Sequence, residues 1–471
     1  MLRATFLFFL LLLFPCSAFA VTNRHSAADG TIQTAIDAAK PGDVILLEPG
    51  HYKERLVLRP GIILMGTARD AVIIDGQGRA PVVTLQQDSQ LLTLQVTGGG
   101  AFDQAVFDRH HASRGEQLAD AGAAGLLSAA VEVSATALVR GCSVHDNGGS
   151  GIAVSGTNNQ SVIENNTSYR NLGGGIGISG GATAVIRGNV CSENLRAGIG
   201  CRGSAPRLDA NHCHHNVRAG IGIREGAAPV VRDNNCHDNR RAGIGVRMLG
   251  TSPLLLENHC HRNGMAGIGS RDHAAPVLFG NQCISNRLAG IGAMEGARVV
   301  AIGNQLRGNE AAAVGLQACK DGRVYLEDND IEPKTLVAIG LQSGWSLLAV
   351  SNRFERLRGM PPLVMVFEGA KAEFHGNSFT SQGIAAIRCA GEVTIVGNQF
   401  INAAGPAAQK RPVRKAVWAL PGSELILGPG NQTQGWALPD VELVAPIRRD
   451  PAWEKIVDQA RDRIASESSA R

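Results

Sequence analysis

The tripeptide Gly-Ile-Gly occurs six times in one stretch of this chain, starting at Gly175, Gly198, Gly220, Gly243, Gly267 and Gly290. The intervals are 23, 22, 23, 24 and 23 residues, a nearly constant period. A second marker, Asn-x-Cys, keeps fixed phase with it at Asn189, Asn211, Asn234, Asn258 and Asn281. Weaker copies carry the ladder upstream to Asn165-Asn166-Thr167 and downstream through Asn304, Asn329, Asn352, Asn377 and Asn398. The residue three before each marker Asn is apolar throughout, from Val162 and Ile186 to Phe374 and Ile395. A unit this short holds a few brief strands and turns, too little to bury a face alone, so it must stack on its neighbours. Helical repeats would need longer amphipathic runs at 3.6 spacing, and none is present. The pattern of leucine-rich repeats is missing as well. A parallel β-solenoid remains.

Side chains alternate along a strand, so in Ala-Gly-Ile-Gly-x-Arg the Ile is expected inside, with both glycines and the Arg outside. Rungs stacked about 4.8 Å apart then build an outer strip of bare backbone. Arg202, Arg224, Arg247 and Arg271 border it on one side and Arg196, Arg218 and Arg241 on the other. Like charges at that spacing repel by roughly 1 kcal/mol per pair in water, which Glu225, Asp272 or an anionic ligand would offset. Arginine grips carboxylates with two prongs where lysine cannot, and no lysine occurs between Lys53 and Lys320. The candidate binding residues are therefore Arg202, Arg224, Arg247, Arg271, Arg218 and Arg241. A flat glycine floor admits a sugar ring closely, which favours an acidic polysaccharide as partner. The competing reading is a set of solvated arginines copied along with the repeat.

The cysteines of the second marker share the phase of Leu306, Ile331, Phe354 and Phe379, so they are expected inside as small buried hydrophobes. Neighbouring rungs hold Cβ atoms farther apart than the ~3.8 Å a disulfide prefers, so a zipper of bridges is not expected. His214, His237 and His261 follow three of these cysteines, and His212 and His259 precede two. Odd in phase, they face outward and stack, and imidazoles on adjacent rungs are candidate ligands for Cu or Zn. The spacing fixes no fourth ligand, and a plain polar ridge is the alternative. The Asn columns are read as structural, each side chain bonding backbone or its neighbour at a turn.

An Asn, an apolar residue two on, a second Asn three further on (Asn194, Asn216, Asn239, Asn263, Asn286, Asn309) and then Gly-Ile resembles the right-handed parallel β-helix repeat of the pectate-lyase-like superfamily. The resemblance covers roughly residues 30–400. It implies an all-β, right-handed parallel β-helix with a short N-terminal capping helix and a C-terminal helix. That superfamily hosts lyases, hydrolases, epimerases, esterases, tailspikes and non-catalytic binders, so it implies no single activity. The opening Ile32-Gln33-Thr34-Ala35-Ile36-Asp37, followed by Pro41-Gly42-Asp43 and Pro49-Gly50-His51-Tyr52, is similar to the cap of pectin methylesterases and of periplasmic copper-associated accessory proteins of nitrous-oxide reductase. Missing are the esterase's paired aspartate motifs, the Asp-Pro-His-Asp signature of alginate epimerases, the aspartate motifs of polygalacturonases and the calcium-binding aspartates of pectate lyases. No cofactor is fixed; copper and calcium are the ions the resemblance brings in. Three functions follow as expectations: binding of anionic polysaccharide along the Gly/Arg face, a uronate lyase or C5-epimerase, and a periplasmic copper-handling accessory protein. In the second, Arg224, Arg247 or Arg271 would neutralise a carboxylate and His110, His111 or His145 would be the base, with catalytic residues otherwise unassigned.

Residues 1–20 read as a secretory signal, with Arg3, an apolar run from Phe6 to Phe14 and a small-x-small site at Ala18-Phe19-Ala20. The run is too short to span a membrane, so a periplasmic or secreted product with no span after cleavage is expected. Thr31 to Lys40 places Ile32, Ala35, Ile36 and Ala39 on one helical face, a cap for the raw apolar end of a solenoid. The β-helix is expected over residues 21–430, clearest over 142–400, with an insertion at 98–128 that breaks the rhythm. Residues 431–471 form a tail with a helix, packed or frayed, carrying Trp453, Ile456, Val457 and Ile464. The net charge of +4 is too weak to imply nucleic acid, and the oligomeric state is open.

Overall fold

A computed structural model describes residues 20–113, 128–334, 336–404, 414–445 and 450–468. The signal reading of residues 1–20 lies, apart from Ala20, outside the described residues. Each rung contributes one short strand to each of three parallel sheets, which hold 17, 15 and 16 strands among the described residues. Equivalent residues stack in register along the axis. Ile199, Ile221, Ile244 and Ile268 form one column, in what we call the glycine sheet. Cys213, Cys236, Cys260 and Cys283 form a second, in the cysteine sheet. Leu208, Val231, Leu255 and Leu278 form a third. All twelve side chains are at most 1% exposed, and together these columns are the core. The chain is therefore a right-handed parallel β-helix, as its repeat implies.

The turns need polar support because their backbone groups would otherwise be buried without partners. Two asparagine ladders supply it. Asn189 donates from its backbone N and from Nδ2 to Oδ1 of Asn211, each at 3.0 Å, and from Nδ2 to the Ile163 carbonyl at 2.8 Å. Asn211 repeats this toward Asn234 at 2.9 Å, and the chain of bonds runs on to Asn398 and Asn431. The second ladder joins Asn194, Asn216, Asn239, Asn263, Asn286 and Asn309 in the same way. An orphaned buried amide costs about 1–3 kcal/mol, so each asparagine is held by its neighbours' needs.

The cysteine column gives way to Leu306, Ile331 and then Phe354, Phe379 and Phe400, whose rings stack at 4.7 and 5.1 Å. All nine described cysteines are free thiols. Burial pushes Cys142 and Cys201 up to about 12, so they act as apolar filler.

Helix α1 (Ile32–Ala38) starts at Thr31, whose side chain accepts from the Thr34 amide, and buries Ile32 and Ile36 completely. Helix α2 (Gln104–Ala112) lies in the insertion and packs Phe107 on Leu195 and Val217, beside the glycine sheet. Helix α3 (Pro451–Ser468) lays Trp453, Val457 and Ala460 over Leu254, Leu256, Val300, Tyr325 and Leu348 on the outer face of the third sheet. Ion pairs from Arg461 to Glu327 at 2.6 Å and from Arg207 to Glu467 at 2.7 Å pin it there, so the tail is docked and not frayed. Ladder pairing continues to Gln432–Gln434. Among the described residues no helix is long and apolar enough to cross a membrane.

Candidate functional site: an arginine-railed groove

Along the outer face of the glycine sheet, Gly177, Gly200, Gly222, Gly245, Gly269, Gly292, Gly315 and Gly340 stand in one unbroken column. It floors a groove of about 780 Å³. Arg202, Arg224, Arg247 and Arg271 line one edge, with Arg202 opposite Arg224 and Arg247 opposite Arg271 in register. Arg196, Arg218 and Arg241 line the other. Beyond the last arginines the edges continue as Met265, Leu288, Met294, Gln317 and Gln342. All six candidate binding arginines thus border one cavity.

The two glycines of each Gly-Ile-Gly differ, which corrects the expectation that both face out. The first is buried at the turn. A Cβ on Gly220 would lie 2.8 Å from the Gly243 carbonyl oxygen and 2.9 Å from Nδ2 of Asn239, and Gly198, Gly243 and Gly267 are equally crowded. Here the asparagine ladder comes so close to the main chain that no side chain fits. The second glycine faces the groove in ordinary strand conformation. A Cβ on Gly200 would meet nothing within 4 Å, and one on Gly222 or Gly245 only an alanine Cβ at 3.5 or 3.7 Å. Packing does not demand glycine at these floor positions. The alanines that meet them, Ala197, Ala219 and Ala242, also line the floor. The sequence reading gives them no role, although an alanine before five of the six Gly-Ile-Gly copies is a signal for them.

Among the described residues lining the groove, every charged side chain is an arginine; no carboxylate, imidazole or phenol is present. Counter-charge comes from outside it: Glu225 sits 3.2 Å from Arg224 and Asp272 3.5 Å from Arg271. Burial, together with the fields of Arg202 and Arg247, lowers the pKa of Arg224, so the rail remains net positive and strained by its own charge. An anion placed there would relieve that strain.

The candidate bases lie elsewhere. His145 is on the cysteine sheet, stacked on Tyr169 at 4.8 Å and bonded to Asp146 at 2.8 Å. His111 stacks on Phe107 at 5.4 Å, and His110 sits on the same helix α2, which packs on the turn and is not among the groove-lining residues. Residues 114–127 of the insertion lie outside the described residues.

On the outer face of the cysteine sheet the predicted imidazole stack is present. His214 and His237 are parallel within 4° at 5.1 Å, and His237 and His261 within 12° at 4.8 Å. Rings stacked face to face aim their nitrogens side by side, so His214, His237 and His261 do not converge on one point as a ligand trio. Burial, helped by neighbouring His212 and His237, brings His214 down to about 4; burial and then Arg262 do the same to His261. His214 and His261 are therefore neutral near pH 7. Against the upward push of burial, hydrogen bonds from Arg262 and His237 hold Asp238 at about 2. No group of three or more His, Cys, Asp or Glu side chains is placed to hold a metal among the described residues.

The family described as right handed beta helix region matches residues 106–204, 158–311 and 245–407. The chain belongs to that family. Among solved structures, it is similar to the A-module of the mannuronan C-5 epimerase AlgE6 of Azotobacter vinelandii, at 14% identity and a TM-score of 0.36, covering 87% of this chain and 95% of that one. It is similar to the catalytic unit of a thermostable α-1,3-glucanase from Streptomyces thermodiastaticus, at 13% identity and a TM-score of 0.43, covering 90% and 70%. It is also similar to an alginate lyase from Paenibacillus sp. strain FPU-7, at 16% identity and a TM-score of 0.38, covering 55% and 94%. No curated protein sequence matches the chain.

Proposed function

We propose that this protein binds an anionic polysaccharide, of the uronate type, lying along the solenoid axis on the glycine floor between the arginine rails. The observation that carries this reading is the floor itself. Glycine in a strand costs roughly 0.5–1 kcal/mol relative to alanine, so a column of eight forgoes several kcal/mol of stability. Neither crowding nor a positive φ requires glycine at Gly200, Gly222 or Gly245. Close approach of a flat ligand to the backbone accounts for them, and the rails account for its charge. Binding is favoured over a lyase or epimerase reaction because the described residues lining the groove supply neutralising arginines without a carboxylate, imidazole or phenol to move a proton. The pair of carboxylates that glycoside hydrolysis uses is likewise not among the lining residues. Residues 1–20 support a periplasmic or secreted site of action.

The test is retention on immobilised alginate or polygalacturonate at low salt. Arg224→Ala combined with Arg247→Ala is expected to abolish it, and Gly245→Val to abolish it while the fold melts no lower than wild type. Unchanged retention by both variants would remove the groove from consideration. New unsaturated-uronate absorbance, or solvent deuterium at C5, would convert the reading from binder to enzyme.

A further inference from the structure

The stacked histidines leave one contact unexplained. His212 and His237 lie diagonally across adjacent rungs of the cysteine sheet, and their Nε2 atoms are 2.5 Å apart. That is closer than the ~2.7–3.2 Å usual for a hydrogen bond donated by nitrogen. The tautomer of His237 is set on its other side, where Nδ1 lies 2.6 Å from Oδ2 of Asp238. The Asp238 carboxylate is itself gripped by Arg262 at 2.7 Å and accepts from Nδ1–H. With its proton on Nδ1, His237 presents a bare lone pair at Nε2, aimed at His212. A carboxylate that orients an imidazole by its far nitrogen is the arrangement that supports metal-bound histidines.

We propose that His212 and His237 form a two-imidazole site for a divalent transition cation of the Zn²⁺ or Cu²⁺ class, oriented by Asp238 and completed by water. Metal–nitrogen bonds of about 2.0–2.1 Å in a tetrahedral set hold the two nitrogens about 3.3 Å apart, so a ring rotation that opens the present contact by under 1 Å admits the ion. The stack preorganises the pair: His214 and His261 hold the His237 ring from both faces. Neither is needed as a ligand. Nε2 of His261 is engaged by Oδ1 of Asn235 at 3.0 Å, and Nδ1 of His214 faces Nδ1 of His215 at 2.8 Å. With no third protein ligand in place among the described residues, the coordination sphere stays open on its solvent side, suited to exchange rather than permanent storage. This site is on a different sheet from the groove and stands independently of the polysaccharide reading.

The test uses the untagged full chain and Zn²⁺ alone, followed by equilibrium dialysis and metal analysis. One saturable equivalent per chain is expected. His212→Gln and His237→Gln should each weaken it at least about tenfold, and Asp238→Asn by about 10- to 100-fold, while His261→Gln, which removes one stacking face and no ligand, weakens it less than His212→Gln. Cu²⁺ at one equivalent on the unmutated protein should show hyperfine coupling from two nitrogens, a readout that does not depend on any variant folding. Absence of saturable uptake by the folded protein overturns the proposal. So does uptake that survives the His212→Gln, His237→Gln double variant, or a loss in His261→Gln as large as in His212→Gln.

Discussion

A single tripeptide contains two glycines with opposite reasons for being there. Gly220 is excluded from bearing a side chain by the Gly243 carbonyl and the Asn239 amide, whereas Gly222 has room for one. Gly220→Ala should therefore lower stability by about 1–3 kcal/mol through overpacking, and Gly222→Ala should raise it by up to about 1 kcal/mol; paired thermal melts decide between them. The alternation rule predicted the outward glycine correctly and misplaced the inward one. It failed because the strand begins at Ile221, so the preceding glycine belongs to a turn, and the crowding there comes from an asparagine one rung away that no local pattern reveals. At the same scale, Glu164 is 4% exposed between Arg140 and Arg187. Burial alone would raise its pKa, but hydrogen bonds from Arg187 and Arg140 outweigh this and lower it below 4.5. A carboxyl more acidic in the folded state than in the unfolded one adds stability at neutral pH that is lost as pH falls from about 4.5 through the folded value. Denaturant titrations from pH 7 to pH 3 should show that acid-side loss in the wild type and a smaller one in Glu164→Gln.

Among the elements, the strands were the most legible and the helices the least. Strand phase follows from a repeat whose apolar, asparagine and cysteine positions recur together, so the inward columns at Ile199, Cys213 and Leu208 follow from the sequence alone. The docking of α2 could not, because an insertion has no register against the rungs it leaves. The same limit applied to the histidines: sequence places His214 above His237, but the diagonal approach of His212 depends on rotamers. Helix α3 carried an apolar face without saying what it covered. It covers a strip of the third sheet that includes Leu254, Leu256 and Leu348, each at most 2% exposed. Trp453→Ala should cost about 3–5 kcal/mol if the helix stays docked, and removing α3 altogether should expose that strip and drive self-association, read by light scattering.

For the whole molecule, stability is a sum over rungs, and on the proposed function recognition is one too. Within the sheets each rung bonds only to the one before and the one after, while α3 bridges the rungs from Arg207 to Glu327, so Asn234→Ala, which breaks one ladder in the middle, should broaden thermal unfolding in calorimetry, with the helix holding the two halves together. Recognition should scale likewise. With arginines on consecutive rungs from Arg202 to Arg271, affinity for uronate oligomers is expected to climb with chain length until the charged rungs are spanned and then level off, and to fall steeply as salt is added. Calorimetry on a size-fractionated series checks this.

Because the floor repeats itself at every rung, one placement of a long polymer is nearly as good as the next. A guest displaced by one step meets the same surface again, so many overlapping placements add their statistical weight. Such a guest would be held firmly as a whole yet free to creep lengthwise, as on a rail without stops.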